Sequence, residues 1–150
     1  MPLGRVDISE MAPTGSDSAA DRLYRRSNLT RSQLLLWLGG QLDIQAPLYN
    51  MIHATRLDGA VDELAFAQAF ADLVGATECL RSAVDSQDGV PRVRVADTPP
   101  IAHEWLDLSA ATQPEHRVEQ WLEQARKQPL DLERSLYRSV LIRTGPQTHI

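Results

Sequence analysis

One segment of this 150-residue chain has the periodicity of an amphipathic helix over more than four turns. Within residues 62–78, apolar side chains recur at spacings of three and four, which places them on one face of an α-helix. These side chains are Phe66, Ala67, Phe70, Leu73 and Val74. An apolar helix face must pack on another element, so we expect this helix to lie against further helices or a sheet.

Two further helices are predicted on either side of it. The first covers the apolar block 34–38, is capped by Thr30 or Ser32, and ends at the glycine pair that follows. Its run of leucines predicts that it is short and buried. The second begins at a capping box over 112–115, with proline in its first turn, and ends at Pro129.

Short strand patterns separate these helices. A polar, glycine-containing loop joins two of them and predicts an antiparallel hairpin. A last strand is expected to continue past the end of the chain. The predicted strands are 50–56, 80–84, 91–95, 101–108 and 136–142. The fold class is therefore mixed α/β (α+β), with helices packed on a mixed sheet.

Composition excludes several classes of protein. The chain is 43% hydrophobic, and no apolar run approaches the roughly 20 residues needed to cross a bilayer. Its 15 Lys and Arg residues are scattered and outnumbered by 20 carboxylates, for a net charge of −5, so we expect no nucleic-acid partner and no membrane partner. The first residues lack the apolar core of a signal peptide, which favours a cytoplasmic location.

The chain divides by composition near residue 27. Residues 1–27 are rich in Gly, Pro, Ser, Asp and Arg without a sustained apolar period, and predict a leader or linker that is partly disordered. Residues 21–26, at the end of this leader, have the composition of a short helix. Residues 28–150 are predicted to form the folded unit.

No pattern of reactive side chains defines an active site. The four histidines lack the spacing of zinc ligands, so we predict no metal-binding, catalytic or cofactor-binding residue from them; they are His53, His103, His116 and His149. Cys79 follows the long helix at its negative pole, which disfavours a thiolate, and is interpreted as a small buried hydrophobe. Trp37, Trp105 and Trp121 are interpreted as core residues.

Four passages nevertheless resemble motifs of the condensation domains of nonribosomal peptide synthetases. Residues 29–38, LTRSQLLLWL, resemble the opening motif L-[ST]-x-[AS]-Q-x-x-[LI]-[WY]. Tyr49-Asn50, followed by 57–62, is similar to the family passage YN…L-x-G-x-(L/V)-D. Residues 78–82 resemble R-H-E-x-L-R-T-x-F, and 130–138 resemble F-D-L…P-L-(L/Y)-R.

The passage that resembles R-H-E-x-L-R-T-x-F departs from that motif at two positions. Thr77 stands where the motif has His, and Val84 stands where it has Phe. The family's catalytic signature, His-His-x-x-x-Asp-Gly, does not occur in the 150 residues. His149 is a single histidine without the rest of that signature, so the catalytic role is not carried onto it.

The resemblance implies a chloramphenicol-acetyltransferase-like N-terminal lobe, incomplete at its C-terminus. The implied activity is amide-bond formation between aminoacyl or peptidyl thioesters, carried on the phosphopantetheine arms of carrier proteins. No cofactor is expected to bind directly. The implied partners are carrier proteins and the C-terminal lobe of the same domain, and the 150 residues alone are expected to be inactive. Among them, the resemblance marks Arg81 as structural support of the site.

Two alternatives remain open at this stage. The chain is a noncatalytic lobe that binds a carrier or another partner, or it is part of a related acyltransferase that uses coenzyme A thioesters. The substrate amino acids, and the choice between condensation, epimerisation and cyclisation, are not readable from these residues.

Overall fold

A mixed sheet, a separate hairpin and four α-helices make up the part of the chain that this computed structural model describes, residues 18–43, 46–98 and 103–150. The α-helices are α1 (Ala19–Arg26), α2 (Arg31–Leu42), α3 (Glu63–Ala76) and α4 (Pro114–Arg126), and single 3₁₀ turns lie at Glu78–Arg81 and Gln87–Gly89. The strands are β1 (Leu57–Asp58), β2 (Ser82–Asp85), β3 (Arg92–Val95), β4 (Glu104–Asp107), β5 (Val140–Gly145) and β6 (Thr148–His149).

The larger sheet has the strand order β1-β6-β5-β4. β4 and β5 run parallel, with Trp105 opposite Leu141, and α4 lies in the connection between them, as parallel pairing requires. β5 turns back into β6 as an antiparallel hairpin, and β6 pairs antiparallel with β1. The predicted combination of a mixed sheet with helices is confirmed.

The larger sheet is covered on both faces. On one face, Phe66 and Phe70 of α3 contact His103 at ring-centroid distances of 5.1 and 5.2 Å. On the other face, Trp121 of α4 lies beneath the Arg138 guanidinium at 5.4 Å. Leu141 and Ile142, neighbours on β5 whose side chains point to opposite faces, are both buried. The core therefore runs through β5.

Local capping explains where two of the helices begin. The Asp62 side chain accepts hydrogen bonds from the backbone N–H groups of Leu64 and Ala65, both at 3.0 Å, and α3 follows as predicted. Thr30 is the N-cap of α2, and it exchanges hydrogen bonds with Gln33 in a capping box.

The capping box predicted over 112–115 is wrong. The N-cap of α4 is Gln113, in the left-handed conformation at φ 61°, and it makes no side-chain capping bond. The helix starts one residue later than the box requires because Pro114 takes the first helical position. Proline is tolerated there because the N–H at this position makes no hydrogen bond within the helix. The predicted proline in the first turn is confirmed.

α2 is longer and more exposed than predicted. It runs through the glycine pair to Leu42, because neither glycine adopts the positive φ that ends a helix. Only Leu34 is buried in it, and Leu35 and Leu36 are exposed. The helix is therefore not the buried element that its leucine run predicts.

The strand predictions differ from the structure at both ends of the sheet. The strand predicted over 50–56 is wrong: residues 51–56 form no regular structure, and the strand β1 comprises only the two residues that follow, Leu57–Asp58. The strand predicted from 136 starts at Val140, and the chain turns at 146–147 into β6 instead of continuing in one line. The hairpin is confirmed, with Val84 opposite Val93. Of the strand predicted over 101–108, β4 covers four residues, and residues 101–102 lie outside the described part.

The interpretation of Cys79 is also wrong. The chain leaves α3 in a single 3₁₀ turn, Glu78–Arg81, and Cys79 is exposed on it.

Trp37, Trp105 and Trp121 are half-buried rather than fully enclosed. The short helix predicted at the end of the leader is present as α1, and residues 1–17 lie outside the described part. None of the described helices is long and apolar enough to cross a membrane.

Candidate functional site

A groove of about 670 Å³ separates the segment that leads into β1 from the segment that leads into β5. Residues 49–55 and Leu57 form one wall, and residues 134–142 form the other. The end of α4 and the loop behind it close the groove on one side, and Phe66 and His103 close it on the other. Ile150, the last residue of the chain, lines it as well.

The motif residues Tyr49 and Asn50 hold the first wall in place. The Asn50 side-chain amide donates to the backbone carbonyl of Gln128, just after α4, at 2.6 Å. The Tyr49 hydroxyl lies so close to Gly39 of α2 that a Cβ atom at that position would collide with it. A side chain at position 39 would therefore have to displace the Tyr49 ring.

Arg138 joins three elements at the second wall. Its Nε and one terminal nitrogen donate to the two carboxylate oxygens of Glu104 on β4, both at 2.9 Å. The other terminal nitrogen donates to the Gln128 side chain at 3.2 Å, and the guanidinium lies over the Trp121 ring. The hydrogen bonds from Arg138 hold the pKa of Glu104 below its usual value, and the same bonds raise the pKa of Arg138.

A second cluster of polar groups lies on the α3 side of the groove. His103 Nδ1 is 3.1 Å from the Ser139 hydroxyl, and its Nε2 is buried without a partner among the described residues. The buried Tyr137 hydroxyl likewise has no hydrogen-bond partner there. Burial lowers the pKa of His103, which favours the neutral ring, and burial raises the pKa of Tyr137. Both groups are therefore uncharged at neutral pH and able to hydrogen-bond.

Arg81, the residue that the family resemblance marks as structural support, is not among the residues that line this groove. One of its terminal nitrogens donates to the Ala96 carbonyl after β3, and its Nε is buried without a partner among the described residues. It borders a smaller pocket shared with Arg94, Glu133 and Arg134. Its supporting role stays a prediction.

The motif segments meet through backbone contacts. The Asn28 side chain, just before the first motif, bonds to both the N–H and the carbonyl of Val93 on β3. Leu132, in the last motif, accepts from the Val84 N–H at 2.7 Å. The hairpin of β2 and β3 is thus linked both to Asn28, 65 residues before Val93, and to Leu132 in the last motif.

The other three histidines lie outside the His103 cluster. No group of three metal-ligating side chains occurs within 18–43, 46–98 and 103–150. His149 is buried in β6 against Trp105, and His53 and His116 are exposed. Nothing in the sequence singled out His103 and Tyr137, whose rings both contact Phe70 of α3.

Comparison with known proteins identifies the family. The condensation domain model matches residues 25–150. The chain belongs to the condensation domain family, and it has the chloramphenicol-acetyltransferase-like fold of those domains.

Its relatives are large synthetases. Isonitrile lipopeptide synthase from Mycobacterium tuberculosis (strain ATCC 25618 / H37Rv) is 33% identical over 144 residues, which cover 93% of this chain and 6% of that protein. The isonitrile lipopeptide synthase of Streptomyces coeruleorubidus is 30% identical over 83% of this chain and 9% of that protein. The chain therefore spans less than a tenth of these curated relatives.

Solved structures agree with this assignment. A variant of the starter condensation domain of rhizomide synthetase RzmA, in complex with C8-CoA and Leu-SNAC, matches with a TM-score of 0.75 and 26% identity over 90% of this chain and 31% of that chain. The first condensation domain of the calcium-dependent antibiotic synthetase, in complex with a substrate analogue, matches with a TM-score of 0.72 and 28% identity over 82% of this chain and 30% of that chain.

Proposed function

We propose that this chain is the N-terminal lobe of a condensation domain that forms amide bonds in nonribosomal peptide biosynthesis. The observation that carries the proposal is the family match over 25–150 together with the motif segments in family order, which the structure joins around the groove and the hairpin. The lobe works in the cytoplasm with carrier proteins, whose phosphopantetheine arms bring the aminoacyl or peptidyl thioesters. Its second partner is the C-terminal lobe of the same domain.

The proposed reaction is attack of an acceptor amine on a donor thioester. The C–N bond forms, the C–S bond breaks, and the phosphopantetheine thiol leaves with the proton that the amine loses. This step needs a general base near the amine and hydrogen-bond donors at the developing oxyanion. The signature that supplies the base in the family is not among these 150 residues, so the lobe contributes position and shape, and by itself it is inactive.

Arg81 contributes to this role by supporting the hairpin. Its guanidinium holds the Ala96 carbonyl at the end of β3, and Arg94 of the same strand bridges to Asp85 at 3.1 Å. These contacts fix the ends of β2 and β3 relative to each other. A rigid hairpin keeps the segment 130–138, to which it is bonded, in a constant place.

A second candidate is transfer of an acyl group from coenzyme A to an amine. It is favoured by the RzmA starter condensation domain, which binds C8-CoA together with Leu-SNAC, and by the lipopeptide products named for two relatives. The chemistry at the carbonyl is the same, and only the carrier of the thioester differs.

The experiment is an amide-formation assay on this chain extended by the coding sequence that follows it. Two donors are offered, an aminoacyl carrier protein and C8-CoA, each with an aminoacyl carrier as acceptor, and products are detected by mass spectrometry. We expect product with one donor, loss of product when the second histidine of the downstream signature is replaced by alanine, and none with residues 1–150 alone. Carrier binding without product from either donor would instead establish a noncatalytic binding lobe.

A further inference from the structure

Two polar atoms on the α3 side of the larger sheet are buried without a hydrogen-bond partner among the described residues. They are the Nε2 atom of His103 and the hydroxyl oxygen of Tyr137. An unpaired buried polar group destabilises a folded chain, and native structures pair nearly all such groups. These two atoms therefore need a partner that the described side chains around them do not supply.

Both side chains belong to one cluster beneath α3. The His103 ring contacts Phe66 and Phe70 at centroid distances of 5.1 and 5.2 Å. The Tyr137 ring contacts Phe70 at 6.2 Å. The Ser139 hydroxyl completes the cluster, since it lies 3.1 Å from Nδ1 of His103. Three polar side chains thus share a layer whose α3 wall is aromatic and apolar.

The residue that follows each of the two side chains is already joined to the opposite segment. Glu104 follows His103 in the sequence, and Arg138 follows Tyr137. Glu104 and Arg138 form the bidentate ion pair on the α4 side of the sheet. The same two segments therefore meet on both faces of the sheet. Charged groups join them on one face, and neutral polar groups face the covered space on the other.

The partner that the two atoms need is small. Both atoms are out of contact with solvent although the groove beside them is open, so an occupant of the groove would not reach them. The two atoms do not bond to each other, because neither has a partner in the described part of the chain. Water is small enough to be enclosed there, and it both donates to a ring nitrogen and accepts from a phenol.

We propose that water, as one molecule or a hydrogen-bonded pair, occupies a buried site beneath Phe70 and links the Tyr137 hydroxyl to the His103 ring. The ring proton is on Nδ1 and is donated to the Ser139 hydroxyl, so Nε2 is an acceptor. With the opposite tautomer, the water would receive both hydrogen bonds and its own protons would point at apolar rings. The site does not depend on the proposed function.

A double-mutant cycle tests the link through the equilibrium constant for unfolding in urea. The variants are Tyr137→Phe, His103→Leu and the double change. We expect Tyr137→Phe to raise the constant about fivefold or more when His103 is present, and less than about twofold in the His103→Leu chain, where the link is already lost. An unpaired hydroxyl predicts the opposite sign, because its removal stabilises the fold. A lowered constant, or equal effects in both chains, would overturn the proposal.

Tyr49→Phe is the matched control. Tyr49 also lines the groove, but it is 53% exposed, so its loss of a hydroxyl should change the constant by less than about twofold with or without His103. Coupling of Tyr49 to His103 as strong as that of Tyr137 would refute a specific link. His103→Gln is the second variant if His103→Leu fails to fold. It keeps a polar group near the position of Nε2, and we expect it to retain part of the Tyr137→Phe effect.

Nitrogen-15 NMR of the histidine rings shows which ring nitrogen carries the proton. Near neutral pH we expect His103 to have a protonated Nδ1 and a bare Nε2, and a proton found on Nε2 would overturn the proposed direction of the bonds. A crystal structure gives the final test. Ordered water within hydrogen-bond distance of both side chains would support the site. A direct bond between the two side chains, or an empty space between them, would refute it.

Discussion

The ion pair between Arg138 and Glu104 should stabilise the fold by about 1 kcal/mol. Two parallel hydrogen bonds at 2.9 Å give it the bidentate geometry of strong pairs. The two side chains are 37% and 46% exposed, so solvent screening reduces the value toward the 0.2–1 kcal/mol typical of exposed pairs. Hydrogen bonds to charged groups contribute about 1.5–3 kcal/mol when better shielded, which sets the upper bound.

A double-mutant cycle isolates this coupling. The variants are Glu104→Gln, Arg138→Met and the double change, and the free energy of unfolding is measured in urea. The contact of Arg138 with Trp121 is lost in both arms that remove the arginine, so it cancels. A coupling energy below about 0.3 kcal/mol, within the error of additivity, would refute the reasoning.

The pH dependence of this coupling has a definite sign. The pKa of Glu104 is lowered in the folded chain from its ordinary value of 4.5, chiefly by the hydrogen bonds from Arg138. A carboxyl with a depressed folded pKa contributes stability that is fully present above its unfolded pKa and is lost as the pH falls through the folded one. The coupling should therefore be constant near neutrality and decline below pH 4.5. A coupling that grows on acidification would contradict this assignment.

Three further predictions concern single sites. Ile142→Ala should lower the free energy of unfolding by about 2–4 kcal/mol because the side chain is 2% exposed, whereas Leu73→Ala, at 53%, should change it by less than about 1 kcal/mol; denaturant midpoints distinguish the two. Gly40→Ala should stabilise α2 by about 0.5–1 kcal/mol, and Gly39→Ala should not, because a tyrosine ring occupies the space for its Cβ; equal melting temperatures for the two variants would contradict this packing. Cys79 should react with a thiol reagent in the folded chain at nearly the rate of a free thiol, and a need for denaturant would show that it is covered.

Sequence reasoning succeeded where the determining contacts are local. Asp62 caps the helix that its own period predicts, and Val84 pairs with Val93 across a loop of a few residues. It failed where a strand's partner is distant in the sequence, or where the result depends on a shift of one or two residues. Residues 50–56 alternate like a strand, yet a strand forms only where β6 is present to pair with it.

The sequence likewise predicted only part of the candidate site. The motifs singled out Asn50 and Arg138 but could not show that both reach Gln128, because that contact depends on where α4 ends. His103 gave no signal, since its surroundings come from two aromatic residues on α3 and a serine 36 residues later. Cys79 was misplaced because a single 3₁₀ turn decides which way its side chain points.

The pairing of Leu57 with His149 also has a consequence during synthesis. The partner strand leaves the ribosome about ninety residues after β1, and at about 5–20 residues per second this interval lasts roughly 5–20 s. The local hairpins form within about 10 μs, far faster than the chain grows. The nascent protein therefore assembles most of the described elements before β1 finds its partner, and this strand, the first in the described part of the chain, is among the last of them to be joined to the sheet.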